Sequence, residues 1–337
     1  MKRLCAAALL CSGCIHALPE PQVSPIPPPA ERPAQAELFA VPAAAPQPTL
    51  EPIGMRSGHR LSAFSLPSLG DNAQAGREIS GTYFESLAPG RKRFVLVLPI
   101  WGSSTYPPDK IARTLLASPG GAGTNLLVLR GKGSLFTWRA MAVAPTPAAY
   151  EAALALSAEH LRTAVRDVRQ LLDWAESRPE VDPRRLGIVG FSIGAVVAGV
   201  ALEVEPRLAA GVLVMGGGEL YRALPYCYGT AGRTTRQAGL RFGWSEAELE
   251  SYLEERLAGI DPVSQASRID PSRVLLFEAA RDNCFPALGR EAFWQAAHRP
   301  RRVLLSGRHK TSFLAMTFLN HSWAARKMAE FLLQRLG

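Results

Sequence analysis

Short apolar segments separated by longer amphipathic stretches dominate the sequence from about residue 80 onward. Each segment is only a few residues long and apolar at nearly every position, which fits a strand whose two faces are both covered. Strands of this kind, connected by helices, form parallel sheets packed between two helical layers. The segments are residues 94–98, 126–129, 186–189, 209–214, 274–277 and 303–305. The sequence therefore predicts an α/β fold with a doubly wound, mostly parallel sheet.

An insertion is predicted between the fourth and fifth of these strands, because about 60 residues separate them. That length exceeds what a single crossover helix needs. Within it, Ser245-Glu-Ala-Glu248 has the pattern of a capping box, which predicts the start of a helix. We expect the insertion, at about residues 217–268, to form a cap over the carboxyl ends of the strands, where doubly wound sheets bind ligands.

The segment Gly190-Phe191-Ser192-Ile193-Gly194 places a serine between two glycines, where a predicted strand runs into a helix-like stretch of small residues. Because glycines have no Cβ, they allow a sharp turn in which strand and helix approach closely. A serine at the apex of such a turn is exposed and can be activated by a neighbouring base. The segment therefore predicts a nucleophile elbow with Ser192 as nucleophile. An ordinary glycine-rich turn is the alternative.

A serine nucleophile needs an imidazole base and an acid that orients the imidazole, and candidates for both follow predicted strands. Asp282 comes a few residues after strand 274–277, and His309 comes after strand 303–305. Glu219, which follows the preceding strand, is the alternative acid. His321 is the alternative histidine, although it lies at the start of or within the last predicted helix. The order along the chain is then nucleophile, acid, histidine.

This order, with the elbow and the D-x-x-x-P pattern from Asp282 to Pro286, resembles the α/β-hydrolases over about residues 80–337. The sequence is most similar to the dienelactone hydrolase and prolyl-oligopeptidase-like branch of that superfamily. It departs from the family pattern at Arg308, where Gly often precedes the histidine. The resemblance implies an α/β-hydrolase domain at residues 58–337 that includes the cap.

An oxyanion hole formed by backbone N–H groups is a further implication of the resemblance. The N–H of Ile193, the residue after the nucleophile, would supply one donor. The second donor would come from the turn after strand 94–98, where the family commonly has His-Gly and this chain has Pro99-Ile-Trp-Gly-Ser-Ser104. That register points to Ser103, and because the histidine is missing, Gly102 is the alternative.

The resemblance implies a serine hydrolase that cleaves a carboxylic ester through an acyl-enzyme, acting on a small-molecule substrate. A serine peptidase of the prolyl-oligopeptidase-like type and a catalytically silent surface-binding lipoprotein are the alternatives. No metal or organic cofactor is expected, since no zinc-ligand spacing such as H-E-x-x-H occurs. The net charge of +9 comes from scattered Lys and Arg, so no nucleic-acid site is predicted. The oligomeric state is left open.

The first 13 residues have the features of an export signal, with Lys2-Arg3 ahead of an apolar run too short to span a bilayer. Leu10-Cys11-Ser12-Gly13-Cys14 resembles the lipobox of bacterial lipoproteins, although Cys11 stands where that family usually has Leu. The resemblance implies lipidation of Cys14, and the absence of an aspartate after it implies the outer membrane or cell surface. Plain secretion to the periplasm or medium is the alternative.

Residues 14–57 are predicted to be a tether, because ten prolines lie between Pro19 and Pro48 and little in this stretch could pack. At about 3 Å per residue, such an extended segment would hold the folded domain roughly 50–100 Å from the membrane.

A disulfide is predicted between Cys227 and Cys284, the cysteines that remain once the signal is removed and Cys14 is lipidated. Export places them in an oxidising compartment, where an even pair is readily bridged. The bond would tie the cap to the loop that carries Asp282. Two separate buried thiols are the alternative.

Overall fold

The computed structural model describes residues 16–19, 36–42, 47–69, 78–102, 106–131, 133–318 and 322–337. In this part of the chain one sheet of ten strands forms the centre of the fold. The strands are β1 (Ala17–Leu18), β2 (Thr49–Arg56), β3 (His59–Pro67), β4 (Glu78–Ser86), β5 (Lys92–Val97), β6 (Thr124–Arg130), β7 (Val181–Phe191), β8 (Leu208–Val214), β9 (Val274–Ala279) and β10 (Arg301–Leu305).

The strand order in the sheet is β1-β10-β9-β8-β7-β5-β6-β4-β3-β2. The central strands from β10 to β6 run parallel to one another, whereas the strands at both edges are antiparallel to their neighbours. The helices are α1 (Tyr106–Ala117), α2 (Trp138–Val143), α3 (Pro147–Ser177), α4 (Ile193–Val204), α5 (Leu220–Tyr226), α6 (Thr230–Phe242), α7 (Glu246–Leu257), α8 (Ala287–Ala296), α9 (His309–Phe318) and α10 (Ser322–Arg335).

The predicted doubly wound α/β architecture is confirmed, and the six predicted strands correspond to β5 through β10. Both faces of the parallel strands are buried, as β5 illustrates. Phe94 and Leu96 pack with α3 and α4 on one face, while Val95 and Val97 pack with α1 and α10 on the other. Because neither face meets water, the buried central runs of these strands are apolar, and the polar residues lie mostly at the strand ends, which is why the sequence pattern was strong.

The antiparallel strands β2, β3 and β4 were not predicted. In β3 buried and less buried residues alternate, since only one face of this part of the sheet packs on the core. The outer strand β2 is almost entirely exposed and contains Pro52 and Gly54 at an irregularity in its pairing with β3. Proline and glycine are tolerated in such edge strands. Neither strand therefore produces a continuous apolar run.

The sheet begins before the predicted domain boundary at residue 58, because Thr49 already pairs with Ser65. The segment predicted to be a tether also contacts the domain upstream of β2. In β1, Ala17 pairs with Leu305 and Leu18 with Leu304. Farther along, the side chain of Phe39 is buried in the core and its carbonyl accepts a hydrogen bond from Arg169 of α3.

The insertion between β8 and β9 contains α5, α6 and α7. The predicted capping box is present: the Ser245 hydroxyl accepts from the Glu248 N–H at 3.2 Å, and Glu248 accepts from the Ser245 N–H at 2.8 Å. Phe242, Trp244 and Tyr252 form an aromatic cluster with Tyr150 of α3. These aromatic side chains attach the cap to its base. Among the described helices, none is both long and apolar enough to span a bilayer.

Candidate active site

The turn between β7 and α4 has the geometry of a nucleophile elbow. Ser192 has φ 53° and ψ −117°, a backbone conformation that non-glycine residues rarely adopt. The two flanking glycines provide space: a Cβ on Gly190 would lie 2.1 Å from the Gly194 carbonyl oxygen, and one on Gly194 would lie 2.4 Å from that of Pro99. The strain is therefore held at the serine, while the glycines allow β7, α4 and the loop after β5 to approach.

His309 is the first residue of α9 and reaches the serine from the end of β10. Its Nε2 lies 3.0 Å from the Ser192 hydroxyl oxygen, 117 residues away in sequence. The ring is buried, with the rings of Phe313 and Phe285 at centroid distances of 5.1 and 5.9 Å. These two aromatic rings pack against the imidazole, so they restrict its orientation and shield it from bulk water.

Asp282 lies in the loop after β9 and contacts the other nitrogen of the imidazole. Its Oδ2 is 2.8 Å from His309 Nδ1, and its Oδ1 accepts hydrogen bonds from the backbone N–H groups of Cys284 and Phe285 at 2.7 and 2.9 Å. These two N–H groups fix the orientation of the carboxylate. The alternative acid Glu219 contacts Tyr221 and Arg222 instead, so the structure brings Asp282 and not Glu219 to the histidine.

The N–H of Ile193 is at the first position of α4, where backbone N–H groups have no acceptor within the helix. Ile193 borders the same cavity as Ser192, and Ile100 and Trp101 of the loop after β5 also line it. Gly102, the alternative second donor, follows Trp101 in this loop and has φ 77°. Ser103 and the alternative histidine, His321, lie outside the described residues, as does Cys14.

A disulfide joins Cys227, at the end of α5, to Cys284 in the acid loop. Two hydrogen bonds lie beside it: the Tyr226 hydroxyl donates to the Asp282 carbonyl at 3.2 Å, and the Tyr228 N–H donates to the Asn283 carbonyl at 3.0 Å. Burial, and after it the charge of Asp282, raises the pKa of the Tyr228 phenol. The cap and the acid loop therefore form one connected unit above the imidazole.

Reduction of this disulfide is expected to lower the free energy of unfolding by about 4 kcal/mol, because the bond closes a loop spanning 57 residues. Denaturant titration with and without reductant measures the change, and a Cys227→Ala/Cys284→Ala variant should match the reduced protein. Thiol counting on unreduced, denatured protein provides the control. Two free thiols there would contradict the bond.

The start of α5 is held by a buried carboxylate. Asp261 Oδ1 accepts from the Glu219 and Val263 N–H groups, each at 3.0 Å, and Oδ2 accepts from the Leu220 N–H. Burial raises the pKa of Asp261 to about 6, although the three N–H donors oppose this. Because α5 forms one wall of the cavity beside Ser192, Asp261 positions that wall.

A cavity of about 180 Å³ opens beside Ser192 and is lined almost wholly by apolar side chains. The lining residues come from the loops after β5 and β6, the elbow, the cap and the acid loop: Ile100, Trp101, Ser134, Leu135, Phe136, Trp138, Ser192, Ile193, Leu220, Ala223, Leu224, Ala231, the Cys227–Cys284 bridge and Phe285. Phe136 and Trp138 stack with ring centroids 4.5 Å apart. They also border an open groove over α2.

Sequence reasoning missed the contribution of residues 134–138 to this cavity. Their position after β6 was the available signal, because ligand sites in such sheets collect at the carboxyl ends of strands. The cap aromatics Phe242, Trp244 and Tyr252 do not line this cavity and lie against Tyr150 instead. In the described part of the chain, no three His, Cys, Asp or Glu side chains are grouped closely enough to hold a metal ion.

The mostly parallel sheet, the helical layers on both faces and the strand-turn-helix elbow define an α/β-hydrolase fold. The chain is similar to the solved structure of acetyl xylan esterase 1 from Thermoanaerobacterium sp. JW/SL YS485, with 18% identity and a TM-score of 0.63, covering 87% of this chain and 96% of that one. It is also similar to the acetyl xylan esterase from Paenibacillus sp. R4, with 18% identity and a TM-score of 0.58, covering 84% and 90%.

A third similar structure is the S-formylglutathione hydrolase from Agrobacterium tumefaciens, with 13% identity and a TM-score of 0.55, covering 86% of this chain and 100% of that one. No protein-family model and no curated protein sequence matches the chain. At these identities the structural likeness concerns the fold.

Proposed function

We propose that the protein is a serine hydrolase that cleaves a carboxylic ester. The observation that carries the proposal is the chain of contacts from Ser192 Oγ through His309 to Asp282, at 3.0 and 2.8 Å, at the edge of an apolar cavity. The dienelactone hydrolase and prolyl-oligopeptidase-like branch remains the sequence-based prediction for its closest relationship. Apolar walls and a strained, accessible serine suit an acyl group better than a charged ligand.

In this mechanism His309 Nε2 accepts the hydroxyl proton as Ser192 Oγ attacks the carbonyl carbon. Asp282 accepts a hydrogen bond from His309 Nδ1–H, which orients the ring, and its charge stabilises the imidazolium. The oxyanion of the tetrahedral intermediate faces the Ile193 N–H, with the second donor predicted from Ser103 or Gly102. The C–O bond then breaks, His309 returns the proton to the leaving alcohol, and the acyl group stays on Ser192. A water molecule, deprotonated by His309, then attacks the acyl carbon. The bond between that carbon and Ser192 Oγ breaks, His309 returns the proton to Oγ, and the carboxylic acid is released.

A fluorophosphonate probe tests the assignment directly, because it phosphonylates only a serine activated in this way. We expect stoichiometric labelling, with the label recovered on the peptide that contains Ser192. Aryl esters and aminoacyl amides assayed side by side then separate the esterase from the peptidase alternative. Absence of labelling in folded protein would favour the silent binding protein.

The cavity volume points to the size of the acyl group. A cavity of about 150 Å³ holds a benzene ring, so 180 Å³ accommodates an apolar group of about six or seven heavy atoms. We place the acyl chain in this cavity and the alcohol part towards the open groove over α2. The preferred acyl chain is then longer than acetyl.

For aryl esters of increasing acyl length, kcat/KM is expected to rise by about fourfold per methylene up to about six carbons and then to level off or fall. Replacing Ala231, which lines the cavity, by Phe should move the optimum towards acetyl. The matched control is Ala247→Phe on the exposed face of α7. A series unaffected by Ala231→Phe would place the acyl chain elsewhere.

We further propose export and anchoring through a lipidated Cys14, on the basis of the short apolar signal and the lipobox-like segment. Acyl chains on this cysteine would supply the attachment to a membrane.

Cys14→Ser is accordingly expected to abolish incorporation of labelled palmitate and to move the protein from the membrane to the soluble fraction. Cys11→Ser, in the same segment, is the matched control and should remain lipidated. Palmitate retained after Cys14→Ser would refute this anchor. A chain that loses palmitate but still sediments would indicate an uncleaved signal or a protein receptor.

A further inference from the structure

The N-terminal strand β1 lies at the active-site edge of the sheet. It runs antiparallel to β10, so its first residues meet the carboxyl end of that strand. The His16 N–H donates to the Ser306 hydroxyl at 3.0 Å, and the Ser306 N–H donates to the His16 carbonyl at 2.9 Å. Ser306 is three residues before His309. The chain therefore enters the domain beside the imidazole.

This entry point limits the distance between the proposed anchor and the site. Cys14 is two residues before His16, which an extended chain spans in about 7 Å. From Ser306 to His309 the chain spans at most about 11 Å. The acyl chains would thus begin within about 20 Å of the imidazole. This distance is shorter than the roughly 50–100 Å that an extended tether would place between the membrane and the domain.

Exposed cations and exposed apolar side chains surround the same edge. We call them the collar, which consists of Arg281, Arg308, Lys310, Tyr226, Tyr228 and Leu314. Arg308 and Lys310 flank His309 directly, and Arg281 donates two hydrogen bonds to the Ser306 carbonyl. The tyrosines lie over the acid loop, and Leu314 is on the first turns of α9.

The charges and apolar side chains of the collar are complementary to the surface of an anionic bilayer. Among the described residues, none of its three cations forms an ion pair with a carboxylate, and the nearby Asp282 is buried. Tyr226, Tyr228 and Leu314 are 51%, 42% and 43% exposed. Cations attract anionic headgroups, while tyrosine and leucine enter the interfacial region. A nucleic acid would favour the cations but not the exposed leucine.

We propose that the collar binds the surface of an anionic phospholipid bilayer, so that the protein faces the membrane with its active-site edge. The proposal rests on the proposed function for the anchor at Cys14 and for the substrate. It implies that esters dissolved in the bilayer reach Ser192 without crossing bulk water. Binding of the collar to the bilayer requires neither the covalent lipid on Cys14 nor ester turnover.

The test uses the mature chain from residue 14 with Cys14→Ser, made behind a cleavable non-lipoprotein signal. Flotation measures its partition onto vesicles of phosphatidylcholine with and without 30% phosphatidylglycerol. Partition onto the anionic vesicles should fall about thirtyfold in Arg308→Gln/Lys310→Gln, since each cation near such a surface strengthens binding by about fivefold. Arg184→Gln/Arg301→Gln removes two exposed cations at the amino ends of β7 and β10 and should change partition by less than about twofold.

Orientation is read from an NBD fluorophore on Leu314→Cys, with Arg301→Cys as the control position. Anionic vesicles should shift the emission to shorter wavelength only for the label at residue 314. Partition that is indifferent to phosphatidylglycerol, equal losses in the two charge variants, or equal shifts at both labels would overturn the proposal. Because none of these measurements involves ester turnover, failure here is distinguishable from failure of the hydrolase assignment.

Discussion

Ser192→Ala is expected to lower kcat on a short-chain aryl ester by at least about a thousandfold, which corresponds to about 4 kcal/mol in the activation barrier. The serine hydroxyl is the atom that would bond to the acyl carbon, and its 3.0 Å contact with His309 Nε2 gives the proton a direct path. Alanine removes the oxygen and nothing else. Its methyl fits wherever the serine Cβ fits, so the elbow should form as before.

The matched control is Ser134→Ala, because Ser134 lines the same cavity and its hydroxyl accepts a hydrogen bond from the Phe136 N–H instead of contacting His309. We expect this variant to keep activity within a few-fold of the parent. Circular dichroism and the thermal transition confirm that both variants fold. Turnover by Ser192→Ala near the parent level would end the hydrolase assignment.

His309→Ala should be about as damaging as the serine variant, since the two groups act as one unit in proton transfer. The substitution removes the base and leaves Asp282 facing an empty space bordered by Phe285 and Phe313. Added imidazole is expected to restore part of the activity by occupying that space. Such rescue would separate loss of the base from loss of the fold, which imidazole cannot repair.

Two other histidines provide comparisons for this experiment. His298 is exposed and contacts the Ser267 carbonyl, so His298→Ala should leave turnover almost unchanged. His321 is the alternative base from sequence reasoning, and His321→Ala should cost much less than His309→Ala. The reverse ranking of the His309 and His321 variants would show that the wrong histidine was assigned.

The sequence was most informative where the physical requirement is local. A run of residues covered on both faces must be almost wholly apolar, so β5 to β10 could be recognised from short apolar runs alone. The elbow could also be recognised from the sequence. The close approaches at Gly190 and Gly194 exclude any side chain, so both positions must be glycine. The capping box at Ser245 and Glu248 is satisfied within a single helical turn.

Edge strands were harder to recognise from the sequence. β2 is exposed along most of its length and carries proline and glycine, so it shows no continuous apolar run. Only its backbone pairing with β3 makes it a strand. The same is true of β1, whose two residues pair with β10.

By itself, then, the sequence determined the α/β architecture and the elbow at Ser192, because periodicity and steric exclusion act between neighbours in the chain. It offered Asp282 and His309 as candidates from their positions after predicted strands. The tertiary structure alone decided that Asp282 rather than Glu219 meets the imidazole, and that His16 lies at Ser306, 290 residues away. Such contacts depend on which strands become adjacent in the sheet. That adjacency is set by packing of the whole chain, and no short segment encodes it.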